Sequence, residues 1–453
     1  MSNGSVSFLP SQVDAPVSTR PLTTSASPFD LLYADIVLFF QNWRYLPGIV
    51  LPLTPTPSGP LDELYPSVAN LWAISVHVVL IVIEGVYILS IPLSPFFVNA
   101  AFIAYSGTVL IIVYMICFLL NKGVSGEFVF SDEHLLEGYE KRDGEVWVFV
   151  NGVAVGKHWL KSNVNRLSET FRRRIIGVHN PTGGIIFDVI QCLVQRDFSY
   201  DTPDVRQSYA YLKTALLDQS VHKVVFLAHS QGGIIASMAL DWLYAELPAA
   251  ALSKLEVYTF GCAANHFNNP ARRASHVHPY DRQPNGTSPP APTNGHTPHD
   301  ARIVPHIEHY ANGRDFVSRW GVLHFAASAC ANRFAGRVFE QRGASGHQLD
   351  QHYLDTMFPL DAARTRVREE NAFMDAPCEV DAELVVAREQ PAADAIGRAR
   401  RKGSGEELRR RYVDAARAQA AAARTMRVKD LSRLWLYRNG EVPEHIPASP
   451  IAN

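Results

Sequence analysis

The run from Lys223 to Leu240, KVVFLAHSQGGIIASMAL, constrains the fold more than any other stretch of the chain. It opens with an apolar β-type segment, Val224 to Ala228. It then turns sharply through His229-Ser230-Gln231-Gly232-Gly233 and enters an apolar helical segment. A turn that tight lifts the Ser230 hydroxyl above the sheet edge, and Gly232 and Gly233 keep side chains from blocking it. The helix N-terminus beneath, with the backbone N–H of Gln231, is placed to stabilise a developing oxyanion. Against the G-x-S-x-G pattern of strand-turn-helix nucleophiles, Ala228-His229-Ser230-Gln231-Gly232 departs only by alanine for the first glycine.

The flanking sequence repeats the strand and helix alternation. Glu145 to Val150 has a buried-strand composition and runs into Asn151-Gly152-Val153-Ala154-Val155-Gly156. His158 to Arg174 is helix-like and ends in the basic cluster Arg172-Arg173-Arg174, read as solvated or as a headgroup contact. Ile175 to Val178 reads as a strand, and Ile185 to Gln195 and Asp204 to Asp218 read as helices. Leu255 to Phe260 is the next strand, and Ile303 to Tyr310 another. Such β-α-β alternation gives a parallel sheet covered by helices. Between the last two strands, Ser275 to Ala301 is rich in Pro, Asn, Gly and His and reads as a flexible insertion. Its four histidines, His276, His278, His296 and His299, lack metal-ligand spacing.

A nucleophilic serine needs a base, and the base needs an orienting acid. A carboxylate just past the strand end at Tyr310, downstream of the serine, suits the acid; Asp315 fits, with Glu308 inside the strand as the fallback. The segment Gly346-His347-Gln348-Leu349-Asp350-Gln351-His352-Tyr353-Leu354 offers two bases. His347 is preferred, because a loop glycine precedes it and a Tyr-Leu helix start follows; His352 is the alternative. His179 precedes the serine and reads as structural or as lining the cleft.

Ahead of this region lie two apolar runs, Ala69 to Ile91 and Val98 to Leu120, each long enough at helical rise to cross a bilayer. Only Pro92-Leu93-Ser94-Pro95 and two phenylalanines separate them, so they predict a tight hairpin with both ends on one side. His77 and Glu84, seven apart, share a face of the first helix and are expected to mark a functional site or to bond across the hairpin to Asn99 or Tyr105. Phe29 to Pro52 carries Asp30, Asp35 and Arg44 and reads as an interfacial helix. Residues 1–28 read as disordered. Basic residues beside the shared ends (Arg44, Lys122, Lys141, Arg142) place the main domain in the cytosol. From Asp361 the chain is charged and Ala/Arg-rich. A helix over Glu406 to about Val428 is predicted there, followed by an apolar patch at Leu431, Leu434, Trp435 and Leu436.

Composition narrows the function classes. A formal charge of −2 over 453 residues gives no electrostatic footprint for nucleic acid. Five scattered cysteines argue against a disulfide framework and a structural zinc site, and for a reducing compartment.

With these residues in view, the chain resembles the α/β-hydrolase superfamily, specifically its lipase-like serine esterases. The HSQGG turn carries the resemblance first. Thr259-Phe260-Gly261 is similar to the Thr-Phe-Gly of class 3-type lipases. Asn312-x-x-Asp315-x-Val317-x-Arg319 looks like the segment around their catalytic aspartate, and a histidine followed closely by Tyr and an apolar residue is similar to their last triad member. The resemblance spans Glu145 to Leu360. It implies a mostly parallel sheet with helices on both faces, here preceded by two transmembrane helices, and the chain order Ser230, Asp315, His347 or His352. It also implies a second oxyanion donor from the loop after an early strand, where Gly152 and Val153 stand. The expectation is a membrane-anchored serine hydrolase acting on a lipid or other apolar acyl ester, with no cofactor and no metal. An acyltransferase with the same triad, or an inactive hydrolase-fold scaffold in the membrane, are the alternatives.

Overall fold

The computed structural model describes residues 5–9, 27–122, 128–270, 302–327, 334–380 and 426–443. A nine-stranded sheet organises them, made of β1 (Val6–Leu9), β2 (Phe128–Phe130), β3 (Glu145–Val150), β4 (Ile175–Val178), β5 (Lys223–His229), β6 (Leu255–Phe260), β7 (His306–Asn312), β8 (Arg337–Gln341) and β9 (Cys378–Val380). Their order across the sheet is β2-β4-β3-β5-β6-β7-β8-β1-β9. The strands from β4 to β8 run parallel to their neighbours, while β2 pairs antiparallel with β4 and β1 antiparallel with β8.

Parallel neighbours need crossover connections, and helices supply them. α1 (Pro28–Asn42), α2 (Val68–Ser90) and α3 (Asn99–Asn121) precede the parallel strands. α4 (Lys157–Phe171) joins β3 to β4, α5 (Ile185–Phe198) and α6 (Pro203–Leu217) join β4 to β5, and α7 (Gly232–Glu246) leads from β5 towards β6. Because helices cover both faces, the central strands are apolar on both sides. In β3, Trp147 and Phe149 enter a core with Leu160 and Leu167 of α4, while Val148 and Val150 enter a second core with Leu212 of α6 and Ile235 of α7.

α2 and α3 stand outside both cores. At about 1.5 Å per residue, each 23-residue helix reaches about 34 Å, enough for a hydrocarbon layer of about 30 Å. A core helix of a soluble fold would hide its apolar surface. Here Val82 and Leu89 of α2 and Ile111 and Leu119 of α3 are exposed, and only 17% of each apolar window is buried. These helices are long and apolar enough to cross a membrane.

α2 is nevertheless gripped by the domain. His77 stacks on Trp159 of α4 with ring centroids 5.6 Å apart, and Glu84 Oε2 accepts the Ile186 N–H at 2.9 Å. The expected bonds across the hairpin to Asn99 or Tyr105 are therefore replaced by contacts with the domain. The first N–H groups of α5 lack intrahelical acceptors, and Glu84 supplies one with the favourable sign for that helix end. α1 divides its faces similarly. Asp35 is buried against Arg196 (2.5 Å) and Phe39 lies on Phe316, while Phe29, Tyr33, Phe40 and Trp43 stay exposed at helical spacing. The stretch read as an interfacial helix thus docks one face on protein.

The folded domain is larger than Glu145 to Leu360. Val6–Leu9, inside the stretch read as disordered, adds a strand between β8 and β9 whose Val6 and Phe8 enter the core, and β2 arises within the connector after α3. The patch at Leu434 and Trp435 is buried in the core as well. The reason is electrostatic. Glu256 and Glu308 point from β6 and β7 into that core, and a buried carboxylate is costly unless paired. Arg433 Nε meets Glu256 at 2.9 Å, Tyr437 donates to Glu256 at 2.7 Å, and the Arg433 N–H donates to Glu308 at 2.8 Å. Two of the three cluster arginines are wired inward too: Arg173 pairs with the Glu145 side chain at 2.7 Å and Arg172 donates to the Thr365 carbonyl at 2.6 Å, while Arg174 stays exposed. The insertion 275–301, residues 406–425 of the helix expected over Glu406 to about Val428 and most of residues 1–28 lie outside the described residues.

Candidate active site

β5 ends at His229 and α7 begins at Gly232, so Ser230 and Gln231 make the whole turn. Ser230 sits at φ +59°, a region that costs a non-glycine residue roughly 1–3 kcal/mol. Three bonds hold it there. Its N–H donates to the Phe260 carbonyl at 3.0 Å, and its carbonyl accepts from Gly233 at 2.9 Å and from Ala263 at 3.1 Å.

The loop after β3 presses on this turn. A Cβ at Gly152 would lie 2.3 Å from Ser230 Cβ and 2.8 Å from Ser230 Oγ, so only glycine allows the approach. The loop is braced from outside. Asn151 exchanges two bonds with the Asn180 backbone (2.8 and 2.9 Å), and Asp188 accepts the Ala154 N–H at 2.9 Å. Gln231 is held through its side chain, which accepts from Asn180 at 2.7 Å and donates to Gln195 at 2.8 Å. Its N–H belongs to the first-turn donors that a helix cannot satisfy internally. Of the residues expected to share one function, Gly152 is thus brought against the turn that holds Ser230 and Gln231, with Val153 next in its loop.

Asp315 caps the helix α9 (Phe316–Trp320, preceded by the short α8, Ala249–Leu252), accepting the Val317 N–H at 2.9 Å. Its Oδ2 meets His347 Nδ1 at 2.7 Å and also accepts from Tyr353 at 2.7 Å and Ser318 at 2.9 Å. Burial alone would raise this carboxyl, but the attraction of His347 and these hydrogen bonds outweigh it and hold Asp315 below the ordinary carboxylate range. An ionised Asp315 requires the proton on His347 Nδ1, which leaves Nε2 as the basic nitrogen. That Nε2 is buried and has no hydrogen-bond partner, Ser230 Oγ included. Catalytic hydrogen bonds are often long without substrate and tighten in the complex.

Residues beside the serine bracket His347. A Cβ at Gly261, φ +56°, would fall 2.8 Å from His347 Cε1 and 3.1 Å from Asp315 Oδ2, so the Thr-Phe-Gly glycine clears room for the pair. His229 lies with its ring centroid 4.7 Å from that of His347 and its Nε2 2.7 Å from the His347 carbonyl. Burial pushes His229 down to about 3, which keeps a second positive charge away from the base.

The alternatives are occupied elsewhere. His352 accepts the Gln348 N–H on Nδ1 at 3.0 Å and donates from Nε2 to the Pro52 carbonyl at 2.8 Å, so neither nitrogen can serve the serine. Glu308 is committed to Tyr310, Arg433 and Leu434. His179 contacts the Val155 carbonyl at 3.3 Å, and burial lowers it to about 4. Ser318, Tyr353 and His229 join the site without having been singled out from sequence. Ser318 stands three residues beyond Asp315 at the start of a helix, which is the one spacing signal that could have marked it. Among the described residues, no cluster of three or more His, Cys, Asp or Glu side chains is arranged to hold a metal ion. No family model, no curated protein and no solved structure matches the chain.

Proposed function

We propose that the chain is a membrane-anchored serine hydrolase of the α/β-hydrolase type that cleaves a lipid or other apolar acyl ester. The observation that carries this reading is the 2.7 Å His347–Asp315 bond, with His347 Nε2 left bare next to the residues that flank a strained Ser230. Ser230 Oγ attacks the ester carbonyl as His347 Nε2 takes its proton, and Asp315 stabilises the resulting imidazolium. The N–H of Gln231 and that of Gly152 or Val153 hold the oxyanion. Collapse expels the alcohol with the proton from His347. Water, deprotonated by the same nitrogen, then releases the acid and restores Ser230. The apolar surface of α2 and α3 and the exposed aromatic side of α1 support a substrate drawn from the bilayer. The basic residues beside the hairpin ends support a cytosolic domain.

The test is fluorophosphonate labelling of the detergent-solubilised protein beside Ser230→Ala. Labelling of the natural chain and none of the variant is the expected result. A folded natural chain that takes no label would overturn the reading in favour of an inactive scaffold.

A further inference from the structure

The loop that brings Gly152 to the serine has a second side. It continues to Gly156, the N-cap of α4, and Gly156 forms part of the wall of a cavity of about 360 Å³ between α2, α3 and α4. That volume falls within the roughly 300–1,000 Å³ of ordinary ligand sites. Ala73, His77, Leu120 and Trp159 make its inner wall and are buried. Val68, Ala69 and Trp72, all exposed, form its mouth.

Three observations point to one occupant. The mouth opens on the side of α2 that the domain leaves uncovered, beside the exposed apolar residues Leu71 and Val79, so a molecule arriving there crosses apolar surface. Lys122, the exposed C-cap of α3, and Trp72 lie on the rim, the combination found where a span meets headgroups. His77, 4% exposed, has no hydrogen-bond partner on either ring nitrogen; the Ala154 carbonyl lies beside the ring, short of hydrogen-bond geometry. A buried polar group without a well-formed partner is costly, so a ligand oxygen at His77 would relieve that cost. Ionisable residues within a membrane segment mark functional sites by default.

We propose that this cavity binds an acyl chain of a membrane lipid, with a carbonyl oxygen of the lipid accepting from His77 and an anionic head meeting Lys122. The chain fills the apolar interior between Ala73, Leu120 and Trp159. Its occupant packs against Gly156 and so bears on the loop that presents Gly152, but binding itself does not require a reactive Ser230. A phospholipid and a free fatty acid share this chemistry.

The full chain, reconstituted in phosphatidylcholine–phosphatidylglycerol vesicles, is irradiated with either a diazirine-acyl phosphatidylglycerol or a diazirine fatty acid, and adducts are mapped by mass spectrometry. Adducts on Ala73, His77 or Trp159, which surrounding lipid cannot reach, support the site, and the better-yielding probe identifies its source. Ala73→Phe fills the interior and Ala69→Trp closes the mouth. Either variant, if it keeps a cooperative melt, is expected to lose these inner adducts at least tenfold while keeping adducts on the outward faces of α2 and α3. Adducts confined to outward-facing residues, or inner adducts undiminished in a folded variant, would overturn the proposal.

Discussion

Gly152→Ala isolates the contact between the loop after β3 and the serine turn. The added Cβ would fall 2.3 Å from Ser230 Cβ, 2.8 Å from Oγ and 3.1 Å from the His229 carbonyl, so one side must move. The serine is the worse candidate, because its N–H and carbonyl are bonded to Phe260, Gly233 and Ala263. The loop yields instead, and the N–H groups of Gly152 and Val153 move with it. Overpacking of this kind costs about 1–3 kcal/mol, against a total stability of about 5–15 kcal/mol, so the variant stays folded. Loss of one oxyanion donor lowers turnover by roughly 10²–10³, or about 2.7–4 kcal/mol. The assay is the second-order rate of fluorophosphonate capture by purified protein, read beside a thermal melt. The expectation is a fall of roughly 100-fold or more with the cooperative melt retained. Gly107→Ala in α3, where nothing lies within 4 Å of the added Cβ, is the matched control and should leave capture unchanged. A Gly152→Ala chain that captures the probe at the natural rate would refute the placement of the oxyanion donor.

Asp315→Asn replaces the acceptor for His347 Nδ1–H with an amide that favours the wrong tautomer, so capture should fall by about 10⁴ with the fold intact, measured by the same rate and melt. His347→Ala should abolish capture, whereas His352→Ala should keep it within about tenfold and lower the melting temperature instead, since it strands the Gln348 N–H and Pro52 carbonyl at about 1–3 kcal/mol each. Equal loss in the two variants would reassign the base. Burial, followed by the carboxyls of Asp355 and Glu63, raises Asp62 to about 9. Its unfolded value is about 3.9, so the folded state holds a proton that the unfolded chain releases between those limits, and stability declines as pH rises from about 4 to about 9. Asp62→Asn places a permanent donor toward Asp355 and should flatten that decline, seen as a higher melting temperature than the natural chain at about pH 8 and little difference at about pH 4.

The parallel centre of the sheet was legible because parallel strands are buried on both faces and therefore read as unbroken apolar runs, as VWVFV and KVVFLA do. The tight turn at Ser230 and the pairing of Asp315 with His347 were legible through local signatures: a strand-turn-helix, a carboxylate past a strand end, a glycine before a histidine. What stayed hidden depends on contacts distant in sequence. Val6–Leu9 is four residues long, and its pairing with β8 and β9, both more than three hundred residues away, makes it a strand. The helical turn at Leu434 and Trp435 is tied in by carboxylates of β6 and β7, which no local pattern announces. The glycine before His347 favoured it over His352 without excluding the latter, because what occupies His352 is the distant Pro52 carbonyl.

That Pro52 contact belongs to a larger arrangement that joins the segment between α1 and α2 to the candidate site. The Gly48 and Ile49 carbonyls accept the N–H groups of Gly346 and His347 at 2.8 and 3.2 Å. Leu53 takes the Gln351 side-chain amide at 2.8 Å, and Glu63 accepts the Asp350 N–H at 3.0 Å. Ser58 Oγ donates to Asp355 at 2.6 Å, and Arg166 of α4 closes the same carboxylate at 3.0 Å. The segment between α1 and α2 thus supplies the acceptors for the loop that carries the base. Beyond its bonds to Arg314 and Asn312, the loop after β8 leaves the sheet, and among the described residues no strand pairs with it. The stretch leading into α2 takes that place. The segment that enters α2 therefore does more than connect it to α1: it holds the His347 N–H through Ile49 and the residues that follow through Glu63 and Pro52.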